Sequence, residues 1–123
     1  MKKIMIVDDN VDLTYVVKKS LEKIKDGYEI LSANRGQECF NLLNEGKLPD
    51  LILLDIMMPE MNGWDVFAKL KENAEWRKIP VVFLTAKTDS FSKGFGQIPA
   101  QDYIEKPFEI VDLKKRIDKI LGK

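Results

Sequence analysis

The stretch LILLD, residues 51–55, decides the fold, because a short apolar run ends in a single carboxylate. A run of this length without polar alternation is typical of a strand that is buried on both faces of a parallel sheet. Pro49 and its neighbour Asp50 introduce the run, as turn residues often do. Runs of the same kind occur at residues 4–7, 81–84 and 103–104.

Helix-like patterns alternate with these runs along the whole chain of 123 residues. The alternation predicts a doubly wound, flavodoxin-like α/β fold, with helices on both faces of a five-stranded parallel sheet of order 2-1-3-4-5. A further short strand is predicted at residues 28–31. The length suits one core, so we expect one domain over residues 1–123.

Several local features of the helices can be predicted as well. Asn34 and Gln37 have the spacing of a capping box, which predicts the start of the second helix. Helical spacing predicts an amphipathic first helix whose apolar face is formed by Leu13, Val16, Val17, Leu21 and Ile24. Cys39 should lie on the apolar side of the second helix as a reduced thiol. Between Asp89 and Tyr103, glycines and a proline disfavour helix, so the helix expected there should be short, frayed or partly disordered.

The composition excludes several classes of protein. Twenty acidic and twenty basic side chains cancel, so no overall field attracts nucleic acid or an anionic membrane. The apolar runs are too short to span a bilayer or to form a signal peptide. The chain has no histidine, which excludes catalysis by a histidine of this chain and metal sites that contain histidine. We expect a cytoplasmic protein without direct nucleic-acid or membrane binding.

Polar residues follow or end the predicted strands: Asp8, Asp9, Asp55, Thr85 and Lys106. Since the carboxyl ends of parallel strands line one crevice, these side chains should share a pocket. Taken singly, each has an ordinary structural role as a helix cap, a strand residue or a solvated lysine. Together, clustered carboxylates need a cation, and all-oxygen ligands favour Mg²⁺ or Mn²⁺ over Zn²⁺.

These motifs resemble those of the response-regulator receiver domains of two-component signalling, and the chain is similar to single-domain chemotaxis regulators. The matching segments follow the family's order and spacing over essentially the whole chain. They are IVDDN at 6–10, PDLILLDIMMP at 49–59 with MNG at 61–63, VFLTA at 82–86 and DYIEKPF at 102–108.

The resemblance implies a role for each acidic residue. Asp55 would be the phosphoacceptor, with phosphohistidine on a partner histidine kinase or phosphotransfer protein as the donor. Mg²⁺ would be held by Asp9, Asp55 and the backbone carbonyl of Met57, while Asp8 would contribute mainly through bound water.

The resemblance also implies roles for the remaining polar residues. Lys106 and Thr85 would contact the phosphoryl oxygens, and Tyr103 would change orientation with the phosphorylation state. A cis peptide would precede Pro107, which only a proline makes affordable.

The function that follows is a phosphorylation-dependent switch acting on an unknown downstream protein. It would catalyse only its own phosphorylation and dephosphorylation. Met57 and Lys87, two residues after Asp55 and Thr85, cannot orient a hydrolytic water as an acid or amide could, which predicts a long-lived phosphoryl group.

Three other readings remain open at this point. A small Mg²⁺-dependent phosphohydrolase with an aspartyl nucleophile has overlapping chemistry, but Met57 stands where such enzymes carry a second aspartate. A flavin or nucleotide binder would need a phosphate-cradling loop, and Asp8-Asp9-Asn10 would repel phosphate there. A pure interaction module would not need the five polar residues.

Overall fold

The computed structural model describes residues 1–86 and 100–122. Its elements alternate between strand and helix up to β4. In chain order they are β1 (Lys3–Val7), α1 (Val11–Lys23), β2 (Glu29–Ala33), α2 (Gly36–Asn44), β3 (Leu51–Asp55), α3 (Gly63–Glu72), β4 (Val81–Ala86), β5 (Asp102–Lys106) and α4 (Ile110–Leu121). The helix predicted between residues 89 and 103 falls mostly in the segment 87–99, outside the described residues.

The five strands form one parallel sheet in the order β2-β1-β3-β4-β5, which confirms the predicted topology. Val7 pairs with Leu54, so Asp8 follows β1 at the level where Asp55 ends β3. Across the other side of β3, Asp55 pairs with Leu84, one residue before Thr85. The register therefore brings the ends of β1, β3 and β4 to one edge of the sheet.

Helices cover both faces of this sheet, as predicted. Alternate residues of each strand face opposite ways, so Met5 packs toward α2 and α3 whereas Ile4 packs toward α1 and α4. The deepest residues of α2 and α3 are Cys39, Leu43, Val66 and Leu70, and those of α1 and α4 are Val17, Leu21, Leu113 and Ile117. Two apolar layers thus hold the sheet rigidly between them.

The start of α2 differs from the prediction. The residue preceding the helix is Arg35, and its side chain makes no capping hydrogen bond. The Asn34 backbone N–H instead donates to the Glu38 carboxylate at 2.9 Å. The predicted Asn34–Gln37 capping box is therefore wrong, because the Glu38 carboxylate accepts from the Asn34 N–H that Gln37 was expected to bind.

Two further local predictions can be compared with the structure. Val16 is 50% exposed, which contradicts its predicted place in the core, because the neighbouring Val17 occupies the buried stripe of α1. β2 begins at Glu29 and not at Tyr28, although the Tyr28 ring is buried. Cys39 is buried and free as predicted, and burial raises the pKa of its thiol to about 12.

The start of α3 lies directly against the end of β3. Asn62 and Asp65 form a capping box, with bonds of 3.0 and 3.2 Å between each side chain and the other residue's N–H. A Cβ atom at Gly63 would lie 2.5 Å from the Asp55 carbonyl oxygen, so only glycine fits here. Within the described ranges, no helix is both long and apolar enough to cross a membrane.

Candidate functional site

An ammonium group lies between two buried carboxylates at the carboxyl edge of the sheet. Lys106 Nζ donates to Asp8 Oδ2 at 2.6 Å and to Asp55 Oδ1 at 3.1 Å. Asp8 is fully buried and Asp55 is 5% exposed, whereas Lys106 is half-buried. These are charge-assisted hydrogen bonds in a region of low dielectric, where such bonds are strongest.

A third carboxylate completes the cluster. One oxygen from each of Asp8, Asp9 and Asp55 lies within 4.8 Å of the other two, and Asp9 is exposed to solvent. A single cation could contact all three oxygens, and the exposed side leaves room for water ligands. The donor set is all oxygen, which fits Mg²⁺. The three predicted carboxylates therefore lie close enough together to contact one cation.

Burial and like charge dominate the electrostatics of the site. Desolvation, followed by the negative charge of Asp8, raises the pKa of Asp55 to about 7, although Lys106 acts in the opposite direction. Burial lowers the pKa of Lys106, but its hydrogen bonds to Asp8 and the charge of Asp55 raise that pKa overall. One ammonium does not fully compensate the acids, so the site favours a second positive charge.

The main chain explains why the acidic pair sits where it does. The Asp8 backbone N–H donates to the Ala33 carbonyl at 3.0 Å, continuing the pairing of β1 with β2. The Asn10 N–H donates to Asp8 Oδ1 at 2.9 Å, and the Asn10 side chain caps α1 through the Leu13 N–H at 3.1 Å. The sequence Asp8-Asp9-Asn10 thus ends a strand, turns, and starts a helix within three residues.

The other predicted site residues lie on the strands β4 and β5 and in the loop after β3. Thr85 is buried in β4, one residue beyond the partner of Asp55. The Tyr103 ring stacks on Phe83 with centroids 5.8 Å apart and an interplanar angle of 13°. Met57 lies in the loop after β3 with its side chain exposed. The Lys106–Pro107 peptide is cis, as the resemblance implied.

Sequence reasoning missed one residue of the site. Asn34 was assigned to a helix cap, but its side-chain amide donates to the Asp8 backbone carbonyl at 2.9 Å. The signal was available, because Asn34 directly follows β2, which neighbours β1 in the sheet. Lys87, the other residue predicted to flank the pocket, lies outside the described residues.

A parallel sheet of this order with acids and a lysine at its carboxyl edge defines a class of phosphorylatable signalling domain. Residues 4–118 match the family described as the response regulator receiver domain. The chain belongs to this family, the receiver domains of two-component response regulators.

Curated relatives extend well beyond the matched region. The transcriptional regulatory protein CpxR of Klebsiella pneumoniae is 38% identical over 98% of this chain and 50% of its own length. The alkaline phosphatase synthesis transcriptional regulatory protein PhoP of Bacillus subtilis is 35% identical over 98% of this chain and 48% of its own length. The chain therefore spans about half the length of the curated relatives that it matches.

Solved structures match over nearly their whole length. A CheY-like response regulator receiver domain protein from Methanospirillum hungatei has a TM-score of 0.83 and 36% identity, covering 98% of this chain and 94% of that one. The chemotaxis protein CheY4 of Vibrio cholerae has a TM-score of 0.83 and 28% identity, covering 98% of both chains. These matches agree with the predicted similarity to chemotaxis regulators.

Proposed function

We propose that Asp55 accepts a phosphoryl group from phosphohistidine on a partner histidine kinase or phosphotransfer protein, and that the product switches a downstream protein. The observation that supports this most directly is the position of Lys106 Nζ, 3.1 Å from Asp55 and 2.6 Å from Asp8. A nucleophilic carboxylate beside a fixed ammonium and two further acids suits phosphoryl transfer, in which the protein mainly positions groups and balances charge.

The transfer itself forms one bond and breaks one. A carboxylate oxygen of Asp55 attacks phosphorus in line, and the phosphorus–nitrogen bond to the donor imidazole breaks, with its electron pair going to nitrogen. Lys106, which already bonds Asp55, offsets the negative charge on the transferring group. The Thr85 hydroxyl donates a hydrogen bond to a phosphoryl oxygen. The product is an acyl phosphate on Asp55.

The acidic cluster fits a Mg²⁺ ion, or Mn²⁺ in its place. Asp9, Asp55 and the backbone carbonyl of Met57 would hold the ion, and Asp8 would act mainly through a bound water. When bound, the ion would supply positive charge to the phosphoryl oxygens. The spacing of the three carboxylates within 4.8 Å supports this assignment.

Hydrolysis of the acyl phosphate would return Asp55 to its free state in the same site. We propose that the chain catalyses only these two reactions on itself and has no separate substrate. The exposed Met57 side chain has no acid or amide to orient a hydrolytic water, so the phosphorylated form should be long-lived.

Phosphorylation would be read out through β4 and β5. Thr85 would move toward the phosphoryl group, and Tyr103 would turn into the space that it leaves. Tyr103 is half-buried and stacked on Phe83 of β4, so it contacts the strand that carries Thr85. A coupling of about 1–3 kcal/mol is enough for a useful switch.

The target of the switch is proposed to be a protein. The relatives CpxR and PhoP are transcriptional regulators about twice the length of this chain, and we assign no direct nucleic-acid or membrane contact to residues 1–123. The assignment of residues 1–123 to one receiver domain stays a prediction, and so does the cytoplasmic location of the protein.

The proposal is tested by incubating the protein with acetyl phosphate and Mg²⁺ and measuring its intact mass. The wild type should gain one phosphoryl group, and Asp55→Asn should gain none. Asp12→Asn is the matched control, because it removes an exposed carboxylate in the first turn of α1 that is not part of the cluster. A phosphoryl group that persists on Asp55→Asn would place the acceptor elsewhere.

A second experiment, with a generic phosphate ester in place of acetyl phosphate, tests the phosphohydrolase alternative. A switch domain should stop after one phosphoryl group per chain and release phosphate slowly. Repeated turnover of a generic phosphate ester, measured as released phosphate in excess of protein, would favour the hydrolase.

A further inference from the structure

Asn34 contacts the main chain that leads into the acidic pair. Its Nδ2 donates to the Asp8 backbone carbonyl at 2.9 Å and to Thr14 Oγ1 at 3.2 Å. A carbonyl can only accept, and the Thr14 hydroxyl donates its own proton to the Val11 carbonyl at 2.9 Å. The orientation of the amide is therefore fixed, and both of its N–H protons are used.

These bonds hold the peptide between Asp8 and Asp9 from the β2 side. The Asp8 N–H is bound by the Ala33 carbonyl at 3.0 Å, and the Asp8 carbonyl is bound by Asn34 at 2.9 Å. Because a peptide unit is planar, fixing its carbonyl fixes where the next Cα atom lies. Asn34 therefore sets the point from which the Asp9 side chain leaves the backbone.

Asp9 depends on this backbone restraint more than the other two acids do. Lys106 holds the carboxylates of Asp8 and Asp55 directly. Asp9 is exposed, and over residues 1–86 and 100–122 no hydrogen bond or ion pair restrains its carboxylate. Its place within 4.8 Å of the other two oxygens is thus set by the main chain.

We propose that Asn34 is a positioning residue for the divalent cation, acting through the Asp8–Asp9 peptide on the Asp9 carboxylate. The inference rests on the proposed function, which supplies the cation. Mg²⁺ demands a near-ideal octahedral arrangement, whereas Ca²⁺ accepts irregular ones. Loss of the Asn34 amide therefore weakens Mg²⁺ binding more than Ca²⁺ binding.

The test is calorimetric titration of wild type, Asn34→Ala and a control with MgCl₂ and with CaCl₂. The control is Tyr28→Phe, which removes the hydrogen bond from the Tyr28 hydroxyl to Asp118. Tyr28 directly precedes β2, at the end of the strand opposite to Asn34. Asn34→Ala should lose roughly tenfold in Mg²⁺ affinity, at the low end for an outer partner of a metal ligand. Its Ca²⁺ affinity should fall less, and Tyr28→Phe should match wild type for both ions.

A second variant separates positioning from charge. Asn34→Asp keeps the shape of the side chain but replaces the donor by a carboxylate, whose charge alone would tighten cation binding. Weaker Mg²⁺ binding, with faster amide exchange in EDTA at Asn10, whose N–H donates to Asp8 Oδ1, is the result expected from positioning. Tighter binding in Asn34→Asp, or wild-type affinity in both Asn34 variants, overturns the inference.

The outcome for wild type identifies which claim has failed. If wild type binds no Mg²⁺, the proposed function is wrong and the inference falls with it. If wild type binds Mg²⁺ and the Asn34 variants bind it equally well with the same Mg²⁺ to Ca²⁺ ratio, only the inference is overturned.

Discussion

At the scale of single residues, the positive charge of one lysine does not neutralise the negative charges of the site. Three carboxylates lie within 4.8 Å of one another, and Lys106 bonds two of them. Burial and the negative charge of Asp8 raise the pKa of Asp55 to about 7. This raised pKa shows that the ionised form of Asp55 is destabilised in the folded protein. The residues that suit phosphoryl transfer thus make the metal-free fold less stable when Asp55 is ionised.

The Asp55→Asn substitution should reveal this penalty as a stability that depends on pH. The folded-state pKa is raised above its ordinary value of 3.8 to about 7, so the associated stability is present below pH 3.8 and is lost as the pH rises through 7. Asp55→Asn removes the charge and should stabilise the metal-free protein at pH 8 by about 1–2 kcal/mol, allowing for readjustment of Lys106. At pH 5, where Asp55 is mostly protonated in the folded state, the change should be much smaller.

Urea denaturation in EDTA at the two pH values measures this difference. Asp12→Asn, which alters an exposed carboxylate of α1, should change the free energy of unfolding equally at both. If Asp55→Asn changed the free energy of unfolding equally at pH 5 and pH 8, the charge of Asp55 would not destabilise the folded protein.

At the scale of elements, the sequence predicts the strands well but misplaces the cap of α2. The cores of β1, β3 and β4 follow from uninterrupted apolar runs, since such runs suit a strand that is covered on both faces. The edge strand β5 has only Tyr103 and Ile104 as apolar residues, and its burial is lower. The Asp8, Asp55 and Lys106 cluster follows from their positions at strand ends in a parallel sheet. Fold and convergence could thus be predicted from local pattern and topology alone.

Other local features depend on contacts that the sequence does not display. Val16 and Val17 are adjacent apolar residues of α1, and periodicity alone does not decide which one is buried. Tyr28 is buried in the apolar layer that α1 and α4 form, and its hydroxyl donates to Asp118, ninety residues away along the chain. The contact of Asn34 with the Asp8 carbonyl likewise exists only once β2 pairs with β1.

The start of α3 gives a prediction at this scale. Helix propensity alone predicts that Gly63→Ala stabilises the protein by up to about 1 kcal/mol. The structure predicts the opposite, because the new Cβ atom would lie 2.5 Å from the Asp55 carbonyl oxygen and 2.8 Å from the Ile56 Cα atom. Moving this backbone should destabilise the fold by roughly 2–4 kcal/mol and slow phosphorylation of Asp55.

Chemical denaturation and the acetyl phosphate reaction measure the two effects. Gly122→Ala is the control, because the φ of 74° at Gly122 would strain an alanine while no atom lies within 4 Å of its added Cβ. It should lose about 1 kcal/mol with an unchanged phosphorylation rate. A stable, fully reactive Gly63→Ala protein would mean that the loop after β3 can shift without disturbing the site.

At the scale of the whole molecule, the sheet carries the acidic cluster at its carboxyl edge and the aromatic side chains of β4 and β5 on one face. One close-packed apolar layer lies on each face of the sheet. Phe83 of β4 lies within the α2–α3 layer and contacts Trp64, Phe67 and Tyr103, with ring centroids 4.8, 5.3 and 5.8 Å away. Tyr103 is therefore the point where this packed layer reaches the outer strand β5.

Removing the Tyr103 ring should separate phosphorylation from its consequences. Tyr103→Ala changes none of the groups that contact Asp55, so its rate of phosphorylation by acetyl phosphate should stay within about twofold of wild type. The change in amide exchange that phosphorylation causes in β5 and α4 should be strongly reduced, because the ring that links β4 to β5 is gone. Tyr15→Ala, which removes an exposed ring on α1, should leave both measurements unchanged. An equal loss of phosphorylation and of the exchange response in Tyr103→Ala would instead show that Tyr103 supports the site itself, and the separation of site from readout would be wrong.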